Sequence, residues 1–199
     1  MRINTVLFDG FEALDAFGPV EILGGFPDTF EVRCYSSEGG TVTSTQGVRV
    51  VTEPFTDIEA ERNALLIPGG IGVVALVRDS EFIERLGRLA LQSAYVLTVC
   101  TGSILLSKTG LLDGRRATSN KRLFRWTGSE SPEVTWIKKA RWVKDGAIYT
   151  SSGISAGMDM ALGFVSDLLG REAAMKKSIE IEYHLREDND DDPFAQMYY

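Results

Sequence analysis

Three times in this chain a short apolar run stops abruptly at a cluster of small residues. Ala64-Leu65-Leu66-Ile67 gives way to Pro68-Gly69-Gly70-Ile71-Gly72, and Tyr95-Val96-Leu97-Thr98-Val99 to Cys100-Thr101-Gly102-Ser103. Ala147-Ile148-Tyr149-Thr150 leads in the same way into Ser151-Ser152-Gly153-Ile154-Ser155-Ala156-Gly157. Runs of this length with no polar face read as buried strands. After Cys100 an apolar helical pattern opens at once with Ile104, Leu105 and Leu106, and after Gly157 another runs through Met158, Leu162 and Val165. Strand, sharp corner and helix in repetition predict an α/β three-layer sandwich around a largely parallel sheet. Ligands in such sheets bind beyond the carboxyl ends of the strands, so the corners at 69–72, 101–103 and 151–157 are expected to line one site.

The remaining elements fit that frame. Residues 3–8 form a first strand, ended by Asp9-Gly10, and residues 30–35 a second by alternation. Residues 41–51 predict a small β-ribbon around Gly47, and Asp145-Gly146 a hairpin turn between strands at 140–143 and 147–150. A further short strand is expected at 134–137, while 115–133 is mixed and polar. Phe82, Leu86 and Leu89 mark the inner face of a helix that Asp79 or Ser80 can cap. A short helix is expected to begin near Asp15 or Pro19, and a last one to span 171–183.

With 199 residues, 44% of them hydrophobic and 25% charged, the chain suits one globular domain, placed at 1–186. The net charge of −7 is mostly local: Glu187, Asp188, Asp190, Asp191 and Asp192 leave about −2 for everything else. Residues 187–199 accordingly read as a solvated, poorly ordered acidic tail. Such a balance argues against nucleic-acid binding. No run approaches a membrane span, and the apolar run at residues 3–8 is too short for a signal peptide. The expectation is a cytoplasmic protein whose two cysteines, Cys34 and Cys100, are reduced.

Cys100, at the end of a strand with a helix N-terminus opening behind it, is placed where a thiolate would be favoured, hence a nucleophile. A small buried core thiol fits the same local pattern. Main-chain N–H groups around Gly70 and Thr101 are candidates for an oxyanion site. The only histidine, His184, sits beside the acidic tail and reads as a surface residue. Carboxylates near the first strand, Asp15 and Glu21, are then the alternative partners for the thiol. Among Leu14, Ala16, Phe17 and Pro19, Asp15 is expected to be desolvated and to hold its proton tightly; a helix N-cap role is also open to it. The residues offer no metal-ligand spacing and no phosphate or dinucleotide fingerprint, so neither a metal nor a cofactor is expected.

Ile67-Pro68-Gly69-Gly70, Val99-Cys100-Thr101-Gly102-Ser103 and the stretch Gly110-Leu111-Leu112-Asp113-Gly114-Arg115-Arg116-Ala117-Thr118 together resemble the ThiJ/PfpI superfamily. Leu14-Asp15-Ala16-Phe17-Gly18-Pro19 and Gly153-Ile154-Ser155-Ala156-Gly157-Met158-Asp159 match it too, so the resemblance covers roughly residues 3–183. It implies a flavodoxin-like, class I glutamine amidotransferase-like fold and a homodimer. Within the superfamily the chain is most similar to isocyanide hydratases and to ligand-domain-like relatives of AraC-type regulators. The resemblance implies that Cys100 sits at a strained elbow against an acid, which maps to Asp15. It further implies that Asp15 and Thr101 assist substrate and water, and that Gly70, Ile71, Thr101 and Ile154 surround a small-molecule substrate. Many relatives carry a histidine where this chain has Asn120, and the peptidase branch has one where it has Thr101. Protease and amidotransferase chemistry is thereby disfavoured. A hydratase acting on a small electrophile, such as an isocyanide converted to an N-formamide, is expected, with a non-catalytic ligand or redox sensor as the alternative.

Overall fold

A computed structural model describes residues 1–59 and 63–198. Ten strands are described: β1 (Arg2–Val6), β2 (Glu31–Ser36), β3 (Glu38–Thr43), β4 (Arg49–Pro54), β5 (Asn63–Ile67), β6 (Tyr95–Val99), β7 (Arg116–Ala117), β8 (Thr135–Trp136), β9 (Trp142–Asp145) and β10 (Ile148–Ser151). The α-helices among the described residues are α1 (Ala13–Gly24), α2 (Val73–Leu76), α3 (Ser80–Gln92), α4 (Gly102–Lys108), α5 (Phe124–Glu130), α6 (Ala156–Leu169) and α7 (Arg171–Glu180). Eight strands form one sheet in the order β3-β4-β2-β1-β5-β6-β10-β9, and β7 and β8 pair separately. Only the outer pairs β3–β4 and β9–β10 are antiparallel. Every pairing between β4 and β10 is parallel.

The sheet separates two apolar layers, and its central strands are buried along almost their whole length, with the polar side chains Asn4, Thr5, Asn63 and Thr98 buried among the apolar ones. All of β5 is buried. Leu65, Ile67 and Val96 face Phe82 and Leu86 of α3 and Ile104 and Leu105 of α4. Leu66, Leu97 and Val99 face Ile22 of α1, the 160–165 stretch of α6 and Ala174 of α7. The alternation of side chains along each strand thus feeds both layers. In α3 the expected cap is present, with Asp79 Oδ1 accepting the Phe82 N–H at 3.0 Å.

Several elements differ from expectation for identifiable reasons. α1 starts at Ala13 and runs through Pro19. An internal proline ordinarily breaks a helix, but here its ring packs beside Gly157 at the start of α6, while Gly18 faces Met158. Two glycines therefore let α1 and α6 approach closely, with the proline filling the crossing. β9 begins at Trp142: the Arg141 N–H goes to the Asn189 carbonyl, although the Arg141 carbonyl still accepts the Ser152 N–H. The 134–137 strand shortens to β8, α7 stops at Glu180, and the polar 115–133 stretch holds β7 and α5. The acidic segment is not detached: Asp192 is only 2% exposed and Ala195 is also buried.

The β6–α4 corner tolerates no side chain at Gly102, where a methyl would overlap the carbonyl oxygens of Ile67 and Pro68. Gly102→Ala should lower stability by about 1–3 kcal/mol, measured as a shift of the urea midpoint with little change in slope.

Candidate active site

The three small-residue corners meet at one end of the sheet, as their positions in the chain predict. Cys100 follows β6 directly and adopts a left-handed backbone, with φ of 59°. That conformation costs a non-glycine residue about 1–2 kcal/mol, and the surroundings hold it in place. The Cys100 N–H is shared between the carbonyls of Ser151 at 3.2 Å and Ser152 at 3.1 Å. Its carbonyl accepts hydroxyl hydrogen bonds from Ser103 at 2.9 Å and Ser119 at 3.0 Å. Each side of the peptide is thus tied to a different loop.

The sulfur is surrounded by donors and by one acid. Asn120 Nδ2 donates to Sγ at 3.1 Å, and the backbone N–H groups of Thr101 and Ile154 are also directed to it. Ile154, like Cys100, has a left-handed backbone, with φ of 47°. The β10 corner therefore repeats the β6 corner in conformation as well as in composition. Gly153 is required beside it, since a side chain there would collide with the Asn120 amide.

Asp15 comes from the third residue of α1 and is wholly buried. It does not cap its own helix. The first turn is instead met by Gln46, whose Oε1 accepts the Ala13 N–H at 3.0 Å and whose amide donates to Glu12. Asp15 Oδ2 is thereby left to accept the Gly69 N–H at 3.0 Å. Its Oδ1 makes no hydrogen bond of ordinary geometry, although the Cys100 thiol lies close enough to favour the carboxylate. Burial dominates and pushes the Asp15 carboxyl up to about 7, against the opposing pull of the Gly69 N–H.

The Cys100 thiol is also pushed up, by burial first and by the charge of Asp15 second. This corrects the expectation of a thiol lowered by a helix N-terminus. α4 is only seven residues long, and the donors from Asn120, Thr101 and Ile154 only partly offset desolvation. The geometry is that of two acids in one dry place, where a single negative charge is tolerated and a second is not.

Thr101, at 2% exposure, accepts the Gly70 N–H through its Oγ1 at 3.2 Å. The Gly70 amide expected in an oxyanion site is therefore engaged by Thr101 in this structure. Gly70 itself has φ of 135° and touches the backbone of Gly10 and Phe11, so no other residue fits. A Cβ at Gly69 would lie 2.7 Å from Thr101 N and 2.9 Å from Asp15 Oδ2. Bare backbone at 69–70 is what lets acid, threonine and thiol crowd together.

A cavity of about 590 Å³ opens over the sulfur. Gly70, Ile71, Thr101 and Ile154 are among the residues that line it. Glu21 is not part of the site: it lies exposed, 3.7 Å from Lys177 Nζ. His184 is exposed and does not line the cavity. Sequence reasoning did not place Asn120 among the site residues, although its standing where relatives have histidine was a pointer. Glu12, Phe194 and Tyr198 also line the cavity, the last two from a segment whose charges suggested only solvent. Among the described residues, no group of three or more His, Cys, Asp or Glu side chains could hold a metal ion, and no helix is long and apolar enough to cross a membrane.

Comparison with known proteins agrees with this architecture. The chain is 34% identical over 186 residues to isonitrile (isocyanide) hydratase of Pseudomonas putida, spanning 92% of this chain and 78% of that one. It is 24% identical over 177 residues to the HTH-type transcriptional regulator CdhR of Pseudomonas aeruginosa, spanning 87% of this chain and 52% of the regulator. The solved structure of a ThiJ/PfpI family protein from Pseudomonas syringae aligns with a TM-score of 0.82 at 26% identity, over 93% of this chain and 76% of that one. Residues 1–167 match the DJ-1/PfpI family, and the chain belongs to it.

Proposed function

We propose that this protein is a cysteine-dependent hydratase that adds water to a small neutral electrophile, with an isocyanide as substrate and an N-formamide as product. The observation that carries the reading is a buried, protonatable Asp15 beside a Cys100 sulfur that accepts three N–H groups. The similarity to an isonitrile hydratase supports the substrate class.

The pair can deliver both halves of a thiol addition. With one proton between them, thiol plus carboxylate exchanges with thiolate plus carboxylic acid. In the second form the sulfur is nucleophilic, and Asn120, Thr101 and Ile154 stabilise its charge. Sulfur bonds to the terminal isocyanide carbon and the Asp15 proton is delivered to that same carbon, giving a thioimidate and leaving Asp15 ionised. The carboxylate then acts as general base. Water attacks the thioimidate carbon, and a proton passes to the nitrogen. The carbon–sulfur bond breaks, releasing the formamide and restoring the pair with its single proton. Overall one water is consumed and nothing is oxidised. Thr101 Oγ1 already accepts the Gly70 N–H, which leaves its own hydrogen to orient water or substrate. The dimeric state is part of the proposal and is checked by light scattering on the eluting protein.

A sensor function is the second reading, favoured by the similarity to a regulator of which this chain spans about half. Selective oxidation of Cys100 by mild peroxide with no turnover of any isocyanide would support it.

Formamide production from an alkyl or aryl isocyanide should occur with wild-type protein and fall by at least 10³-fold in Cys100→Ala, on the scale of losing a nucleophile. Equal rates in the two would overturn the reading. The form carrying two protons is inert, so kcat/KM should rise with pH and level off above about 7, where the first proton leaves the pair. A carboxyl whose folded pKa is raised stabilises the fold at low pH and loses that contribution as pH rises through the folded value. Asp15→Asn should therefore gain stability relative to wild type between pH 5 and pH 8, on the order of 2–3 kcal/mol, while losing turnover. Urea unfolding at the two pH values measures it.

A further inference from the structure

Residues 188–198 are built into the molecule beside the cavity. The Asn189 carbonyl accepts the N–H groups of Arg141 at 2.7 Å and Trp142 at 3.3 Å, and the Asp192 N–H donates to the Lys139 carbonyl at 2.7 Å. Asp192 Oδ1 then accepts the Phe194 N–H at 3.0 Å, starting the single 3₁₀ turn Pro193–Gln196. The same carboxylate lies 3.7 Å from Arg141 Nη1 and 3.9 Å from Lys121 Nζ. All three side chains are buried, unlike the solvent-screened ion pairs elsewhere on the surface. Lys121 directly follows Asn120, the donor to the Cys100 sulfur. The turn presents Phe194 to the cavity, and Tyr198 joins it with its carbonyl accepting from Lys138 Nζ at 2.6 Å. Leu123 and Trp126 line the same cavity.

An isocyanide group is two atoms long, whereas a cavity of about 590 Å³ is of the size that encloses a whole drug-like ligand. The remaining volume must receive the organic part of the substrate. We infer that the 188–198 segment is the specificity wall of this site: Phe194 and Tyr198 receive an aromatic or bulky apolar group of the electrophile, and Asp192 positions both that wall and the Asn120–Lys121 turn. The inference rests on the reading of Cys100 as a nucleophile toward a neutral electrophile, and it adds the class of group that the electrophile carries.

Two measurements separate the wall from the chemistry. The first is the ratio of kcat/KM for phenyl isocyanide to that for methyl isocyanide. The second needs no turnover: the rates at which iodoacetamide and its N-phenyl analogue alkylate Cys100, with iodide leaving and the thiol proton passing to buffer. Each reagent is referenced to its rate with glutathione. Wild type should prefer the phenyl reagent. Phe194→Ala and Tyr198→Ala should each lower the phenyl preference by roughly 3- to 10-fold in both measurements, the scale of one aromatic contact. Asp192→Asn should lower it likewise while the protein keeps its circular dichroism spectrum. If that variant unfolds, the two aromatic variants, both at exposed positions with 43% and 41% exposure, decide the matter. Absence of a phenyl preference in wild type, ratios within twofold of wild type in folded variants, or equal slowing of both reagents would overturn the wall. A shifted alkylation ratio in a protein that hydrates no isocyanide would keep the wall and refute the hydratase.

Discussion

One backbone hydrogen bond, from the Gly69 N–H to Asp15 Oδ2, holds a carboxyl group where the hydrophobic effect alone would never put one. Without it Asp15 would be a fully buried acid lacking any hydrogen-bonded partner, at a cost of several kcal/mol in charged form. With it, the acid stays buried and pointed at the Cys100 corner, and its ionisation moves close to neutrality. Much of the local sequence serves this contact. Gln46 relieves Asp15 of capping α1, Gly69 and Gly70 bring bare backbone against Thr101, and Pro19 with Gly18 lets α1 lie tightly on α6.

The sulfur faces the opposite problem. A strained corner carries it to the carboxyl end of the sheet but leaves it buried and desolvated, so its thiolate is unfavourable in isolation. In the proposed chemistry, three N–H donors and a carboxylate able to take up the thiol proton resolve this by coupling, since the charge that is costly on both groups together is tolerable on either. This differs from a histidine-activated thiol, in which the base carries the proton as a cation. Here Asn120 contributes a fixed dipole and no proton, so the proposed chemistry assigns proton movement to Asp15.

Much of this was legible in the residues. Continuous apolar runs meeting small-residue corners pointed to the parallel sheet, and strand direction brings those corners together at one end, around the candidate site. Asp15 stood out as an acid among apolar neighbours. The thiol's electrostatics were misjudged, because a strand–turn–helix pattern shows a helix N-terminus but not its length or the desolvation around it. The acidic segment was misjudged more deeply. Composition averages over residues, whereas Asp192 is buried by two cations, Lys121 and Arg141, distant in sequence. Only the tertiary structure brings those three together, and with them Phe194 and Tyr198.

The proposed chemistry turns on where the Asp15 proton resides at neutral pH. A carbon-13 NMR titration of the Asp15 carboxyl, identified by its loss in Asp15→Asn, reports this directly in the resting protein. A midpoint close to 7, with the Cys100 thiol still protonated or sharing that transition, is the predicted result. A midpoint near 4, the ordinary value for an exposed aspartate, would mean that burial beside the thiol does not hold the carboxyl near neutrality, and would contradict the shared-proton chemistry proposed for the site.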